Sequence, residues 1–156
     1  MPKKKKMKHL FICVPARIED LSTVLMIQNE CFPDNEKTLK WLMQKLVQER
    51  TNYICYVVKI MGTDRVVGYM LAKTNERGEA DIVSIGVTVM YRRLGVGRLL
   101  LAHFLDEASG VILRVSVDVP DTSDTLAAQL FLRDCGFPES RIDRKKQTIK
   151  FKRSLV

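Results

Sequence analysis

Val87-Thr-Val-Met-Tyr-Arg-Arg-Leu-Gly-Val-Gly-Arg-Leu-Leu-Leu101 is the stretch on which the fold of this 156-residue chain turns. It reads as the end of a strand, a turn rich in arginine and glycine, and the first turns of an apolar helix. Inside it lies Arg92-x-x-Gly95-x-Gly97. Glycines at those two places let the backbone approach a ligand with no Cβ in the way. The helix that follows leaves its first N–H groups without intrahelical acceptors, and its dipole makes that end mildly positive. Arg92, Arg93 and Arg98 add full charges, with Leu94 and Val96 between them. Such a terminus suits phosphate, so the spacing predicts a turn that grips a pyrophosphate.

Outward from this turn, the pattern predicts alternating strands and helices. Leu10–Val14 is short and apolar, a first strand. Ile18–Cys31 reads as an imperfect amphipathic helix whose apolar stripe is interrupted by Gln28. Asn35 is the expected N-cap of a second helix carrying Leu39, Leu42, Met43, Leu46 and Val47. Tyr53–Ile60 and Val66–Lys73 are strands joined by a hairpin-type loop. Ala80–Val89, Gly97–Ala108 and Val111–Val119 form a strand–helix–strand unit of the right length for parallel strands. A short helix then reaches Asp134 and ends at Gly136, and Thr148–Lys152 is a closing strand, with one more short strand near the end. The expected architecture is α/β with a mixed sheet of about seven strands and helices on both faces.

Composition narrows the function. The length suits one domain with one core, expected over 9–156. No apolar run approaches the roughly 18 residues that span a bilayer. The four cysteines (Cys13, Cys31, Cys55, Cys135) form no C-x-x-C pair. They read as reduced thiols of a cytoplasmic protein, and with only His9 and His103 no metal site is expected. No cysteine is expected in a charged, helix-N-terminal setting that would activate it. The net charge of +8 sits at the ends: five lysines in residues 1–8 and seven basic residues in 141–153, against 14 basic and 17 acidic residues elsewhere. The first eight residues read as a solvated, disordered tail. No aromatic side chains interleave those lysines to stack bases, so nucleic acid is not the expected partner.

Three motifs together resemble the GNAT superfamily of N-acetyltransferases. The arginine–glycine turn preceded by Ile85-Gly-Val87 looks like that family's acyl-CoA motif. Phe131-Leu-Arg-Asp-Cys-Gly-Phe137 looks like its second motif. Cys31-Phe-Pro-Asp-Asn-Glu-Lys-Thr38 is similar to the junction of the first two helices in the branch that acetylates ribosomal-protein N-termini. The resemblance runs over nearly the whole chain and implies acetyl-CoA as co-substrate. It implies that the pantetheine arm runs along Ile85, Gly86 and Val87, where Gly86 suits a bulge or a close backbone approach. Thr125 stands where the motif usually has asparagine and is counted with the cofactor-binding positions.

Acetyl transfer to an amine needs a base for the amine and a proton for the leaving thiolate. The resemblance implies two base candidates. Asp81 matches the base position of the histone-acetylating branch, and Asp118 lies near that of the N-terminal-acetylating branch. The usual tyrosine of the second motif is replaced by Leu132, which, like Phe131, is expected to pack in the core. Tyr69, Tyr91 and a water are the remaining proton donors, with Ser84 or Ser116 able to orient that water. The expected activity is direct transfer in a ternary complex to a primary amine: a protein N-terminus, which the Cys31–Thr38 likeness favours, a lysine, or a small amine. A non-catalytic acyl-CoA-binding module and a ribosome- or nucleic-acid-associated protein remain as alternatives, and the oligomeric state is open between monomer and dimer.

Overall fold

The computed structural model describes residues 10–155, apart from the side chains of Asp124 and Ser140. The basic stretch 1–8 lies outside the described residues. Strand β1 (Phe11–Pro15) leads through a 3-10 turn into helix α1 (Leu21–Cys31) and helix α2 (Leu39–Met43), which runs on as a π-helical turn, Gln44–Gln48. Then come β2 (Tyr53–Ile60), β3 (Val66–Thr74), β4 (Glu79–Val87), α3 (Val96–Ala108), β5 (Arg114–Pro120), α4 (Leu126–Asp134), β6 (Glu139–Asp143) and β7 (Thr148–Ser154). The seven strands form one sheet in the order β1-β2-β3-β4-β5-β7-β6.

Only β4 and β5 pair in parallel, as the strand–helix–strand pattern requires. Helices cover the sheet on both faces. On one face, α3 and α4 bury Leu100, Phe104 and Leu132 against Val58, Met70, Ile82, Val117 and Phe151. On the other, α1 and α2 bury Val24, Ile27 and Leu42 against Val57, Tyr69 and Leu71. The buried ion pair Lys59–Asp20, at 3.0 Å, ties β2 to the turn that starts α1.

The second helix departs from expectation. Its N-cap is Thr38, whose Oγ1 accepts the Trp41 N–H at 3.1 Å. Asn35 instead ends a 3-10 turn that Pro33 begins. The reason is tertiary: Asn29 of α1 clamps the connection, accepting the Lys37 N–H at 2.8 Å and donating to the Lys37 carbonyl at 3.1 Å. That clamp holds residues 36–38 extended and postpones the helix to Leu39.

Candidate active site

Two features of β4 create the site. The first is how little of it pairs with β5: the register runs from Glu79↔Arg114 to Ile82↔Val117 and stops. Beyond Ile82 the two strands part, leaving the β5-facing edge of β4 without a strand partner among the described residues. The second is a bulge. Leu71 pairs with Ser84 and Ala72 with Ile82, so Val83 is the extra residue. A bulge shifts the alternation of side chains by one. Ala80 and Ile82 face α3 before it; Ile85 and Val87 face α3 after it. The bulge therefore sits at Val83 rather than at Gly86. Gly86 serves the close approach instead: a Cβ there would lie 2.7 Å from Tyr69 Cε1 and 3.1 Å from Cys31 Sγ.

On the α3 side, the parting opens into a groove of about 620 Å³, within the usual range for small-molecule sites. Ile85, Gly86, Val87, Arg92, Arg93, Gly95, Val96, Gly97 and Arg98 line it, joined by Tyr91, Cys31 and, from α4, Ala127, Ala128 and Phe131. Gly95 is the N-cap of α3 with φ of 85°, and Arg93 has φ of 62°. These left-handed residues turn the chain into the helix, whose first turn, Val96 to Arg98, lines the groove. The first intrahelical bond here is Leu99 N–H to Gly95 C=O at 2.9 Å, which leaves the N–H groups of Val96, Gly97 and Arg98 without intrahelical acceptors. The sequence pattern expects an anion at such a terminus. Leu94, half exposed, and Thr125 lie outside the lining. Thr125 Oγ1 instead donates within its own turn, with the carbonyls of Pro120 at 2.5 Å and Thr122 at 3.0 Å in reach.

The arginines divide their work. Arg92 reaches back to β4, donating from Nε to the Val87 carbonyl at 2.9 Å and from Nη2 to Cys31 Sγ at 3.4 Å. Arg93 and Arg98 have no carboxylate within ion-pair distance among the described residues. They remain available to an anion. Cys31 lies in the groove beside the Arg92 guanidinium. It stands at the C-terminal end of α1, not at a helix N-terminus, and its Sγ points to the Val87 carbonyl at 3.6 Å.

Under Gly86, on the α1 side, lies a polar cluster that sequence reasoning missed. Tyr69 O–H donates to Gln28 Oε1 at 2.7 Å, Ser84 Oγ donates to the same oxygen at 2.7 Å, and the two hydroxyls also touch each other. Gln28 Nε2 donates to the Asn35 carbonyl at 3.2 Å. Burial pushes the Tyr69 hydroxyl far above its ordinary value, with the Ser84 hydrogen bond opposing, so it stays protonated. The signal was present in the sequence as the polar break Gln28 made in the α1 stripe.

The two carboxylates share this second face. Val115, Val117 and Val119 face α3 and α4, so by alternation Ser116 and Asp118 project from the opposite side of β5. The Ser116 hydroxyl donates to Asp81 Oδ1. Asp118 is the first residue past the last parallel rung and lies 3.9 Å from Lys150 Nζ. Leu132 is buried in the core as expected, at 4% exposure, whereas Phe131 turns into the groove, where its Cζ would meet a Cβ at Gly97 at 3.5 Å. His103 stacks edge-on to Tyr56 away from the groove, with ring centroids 4.8 Å apart. Among the described residues, no group of His, Cys, Asp and Glu side chains is placed to hold a metal ion.

Solved structures share this fold. Ard1 from Thermoplasma volcanium is 20% identical, with a TM-score of 0.77 over 94% of this chain and 98% of its own. The ribosomal-protein-S18-alanine N-acetyltransferase from Escherichia coli is 18% identical, with a TM-score of 0.72 over 92% and 91%. YncA from Salmonella typhimurium, solved with its cofactor acetyl-CoA, is 16% identical, with a TM-score of 0.76 over 94% of both chains. At such identities the likeness is one of fold. No curated protein matches. A model of the GNAT acetyltransferase family matches residues 21–137, from the first helix through Phe137 and well over half of the chain, and the protein belongs to that family of enzymes.

Proposed function

We propose that this protein transfers an acetyl group from acetyl-CoA to a primary amine while both substrates are bound together. One observation carries the reading: β4 and β5 part after Ile82 and Val117, with the arginine–glycine turn opening on one side of the parting and Asp118 standing on the other. The N–H groups of Gly97 and Arg98 and the side chains of Arg93 and Arg98 hold the pyrophosphate. The unpaired edge of Ile85 to Val87 takes the pantetheine amides. Acetyl-CoA supplies the thioester, whose carbonyl then lies in the parting, open to an amine from the α1 side.

Asp118 is the base in this reading, because it is the first carboxylate past the paired rungs. Asp81 is the second candidate, acting through a water; its carboxylate already accepts the Ser116 hydroxyl two residues deeper in the seam. With Leu132 in the core, the leaving thiolate, whose parent thiol titrates at about 8.5, takes its proton from water. Cys31 does not carry the acetyl group in this reading, since its Sγ is turned to the Val87 carbonyl and transfer is direct. Four free thiols support a reducing, cytoplasmic setting in this reading; no helix among the described residues is long and apolar enough to cross a membrane.

The test is thiol release from acetyl-CoA across a panel of amines. Turnover with intersecting double-reciprocal lines is expected, and it should survive Cys31→Ala. Saturable CoA binding with no turnover on any amine would leave an acyl-CoA-binding module. Asp118→Asn should abolish turnover with CoA binding intact; an unchanged pH–rate profile would pass the role to Asp81 or to solvent.

A further inference from the structure

We propose that the acceptor is an acidic peptide, docked on the open face of β5, β7 and β6 with its amino terminus at Asp118. This rests on the acetyl-transfer reading above. Helices α1 and α2 pack over β2 and β3, reaching β4 at Gly86. Past β4, the same face of β5, β7 and β6 has no helix over it among the described residues. Ile149 and Phe151 face α4, so Lys150 and Lys152 project from this open face by alternation. In the register, Asp118 pairs with Lys150 and Lys150 with Arg141, while Ser116 pairs with Lys152. One row across the sheet therefore reads Asp118, Lys150, Arg141.

The hairpin turn adds charge at the same place. Thr148 pairs with Pro120 and the Asp121 N–H bonds the Gln147 carbonyl at 2.8 Å. That puts residues 144–147 at the end of β5 where the strands part. The Asp143 carboxylate is turned to the turn's own backbone, accepting the N–H groups of Lys145 at 3.0 Å and Lys146 at 3.1 Å. Among the described residues, Lys150 alone of these cations has a carboxylate within ion-pair distance, and that is Asp118 itself. Arg141, Lys145, Lys146 and Lys152 leave an excess of positive charge beside the entrance for the amine.

Spacing selects the ligand. Strands lie about 4.8 Å apart, so Lys150 and Arg141 stand roughly 5 and 10 Å from Asp118. An extended peptide advances about 3.3 Å per residue. With the amine at Asp118, carboxylates on the second to fourth residues fall on these cations, whereas a small amine there lies beside Lys150 but does not extend to Arg141. The row has no aromatic side chain on which bases could stack, which disfavours RNA.

The experiment uses the full chain, acetyl-CoA and three peptides with the same first residue and Glu, Ser or Lys at positions two to four. The Glu peptide should exceed the Ser peptide in kcat/KM by about fivefold per cation engaged, with the Lys peptide slowest, and the preference should shrink as salt is raised. Arg141→Glu/Lys152→Glu should abolish the preference while leaving CoA affinity and the rate on the Ser peptide unchanged. Equal rates on all three peptides would overturn the inference and leave acetyl transfer standing. Salt-sensitive binding of an RNA oligonucleotide that the double variant loses, without a peptide preference, would overturn it in favour of nucleic acid. Bound CoA with no turnover on any peptide or small amine would instead refute the acetyl-transfer reading beneath it.

Discussion

Gly97→Ala separates packing from ligand binding. Gly97 is the second residue of α3, and a Cβ there would meet Phe131 Cζ at 3.5 Å, Phe131 Cε1 at 3.8 Å and Val87 Cγ2 at 4.0 Å. Those are ordinary contacts, so the fold loses nothing to a clash. Replacing glycine by alanine inside a helix gains up to about 1 kcal/mol, and in the first turn about half of that. At about 2–4 °C per kcal/mol for a domain of this size, Tm should rise by about 1–2 °C. The same methyl projects into the groove at the helix end where N–H groups are free of intrahelical acceptors. If a pyrophosphate sits there, the methyl displaces it from one charge-assisted hydrogen bond, worth about 1.5–3 kcal/mol. Kd for CoA should then weaken by about 10- to 150-fold. Calorimetric melting and titration calorimetry measure both numbers on one sample. A Tm that behaves as stated beside an unchanged Kd would refute the assignment of the Arg92–Arg98 turn to phosphate.

Gly86→Ala should do the reverse, because its Cβ would press within 2.7 Å of Tyr69 Cε1 and the Gln28 and Ser84 bonds stop that ring from swinging aside. Overpacking of this kind costs about 2 kcal/mol, so a melting temperature unchanged from wild type would contradict the packing. Asp20→Asn leaves Lys59 charged and buried without its partner and should cost about 3 kcal/mol. Adding Lys59→Met should recover most of that loss, which a double-mutant cycle in urea measures. Alkaline pH should weaken the fold. Burial raises the Cys13 thiol from 9.0 to about 11 and the Cys55 thiol to about 12. The folded state thus keeps protons that the unfolded chain releases, so stability is full below pH 9.0 and falls toward pH 11. Cys13→Ala should flatten that fall, as read by urea midpoints across the range.

The sequence carried the strand–turn–helix of residues 79–108 because its chemistry is local. Glycines at the turn, arginines around it and an apolar helix after it all point one way. The parallel pair followed from the length of the crossover, whereas the placing of β7 between β5 and β6 did not. What stayed hidden depends on partners distant in the chain. In residues 80–87 the polar Asp81 and Ser84 stand three apart, which breaks strict alternation without saying where; only pairing with β3 puts the bulge at Val83 and decides which way Ile85 and Gly86 face. Asn35 is a good N-cap by type, yet the Asn29 clamp on Lys37 moved the helix start to Thr38. Arg92, Arg93 and Arg98 look alike as letters. Geometry sends Arg92 to the Val87 carbonyl and leaves the other two outward. Leu132 could be read as core because helical spacing puts it among apolar neighbours; the same spacing put Phe131 against the core but did not show that it also lines the groove.

The short parallel seam has a consequence for the lifetime of the molecule. Four rungs, Glu79 to Ile82 against Arg114 to Val117, hold the β1–β4 half of the sheet to the β5–β7–β6 half. A donor lying along Ile85 to Val87 would act as a splint across the rest of the joint. A ligand at one hundred times its Kd adds about 2.7 kcal/mol to stability, worth about 5–11 °C in Tm for a chain this long. The enzyme would then be durable when acetyl-CoA is plentiful and easier to unfold and degrade when it is scarce, so its own abundance would track the metabolite it consumes.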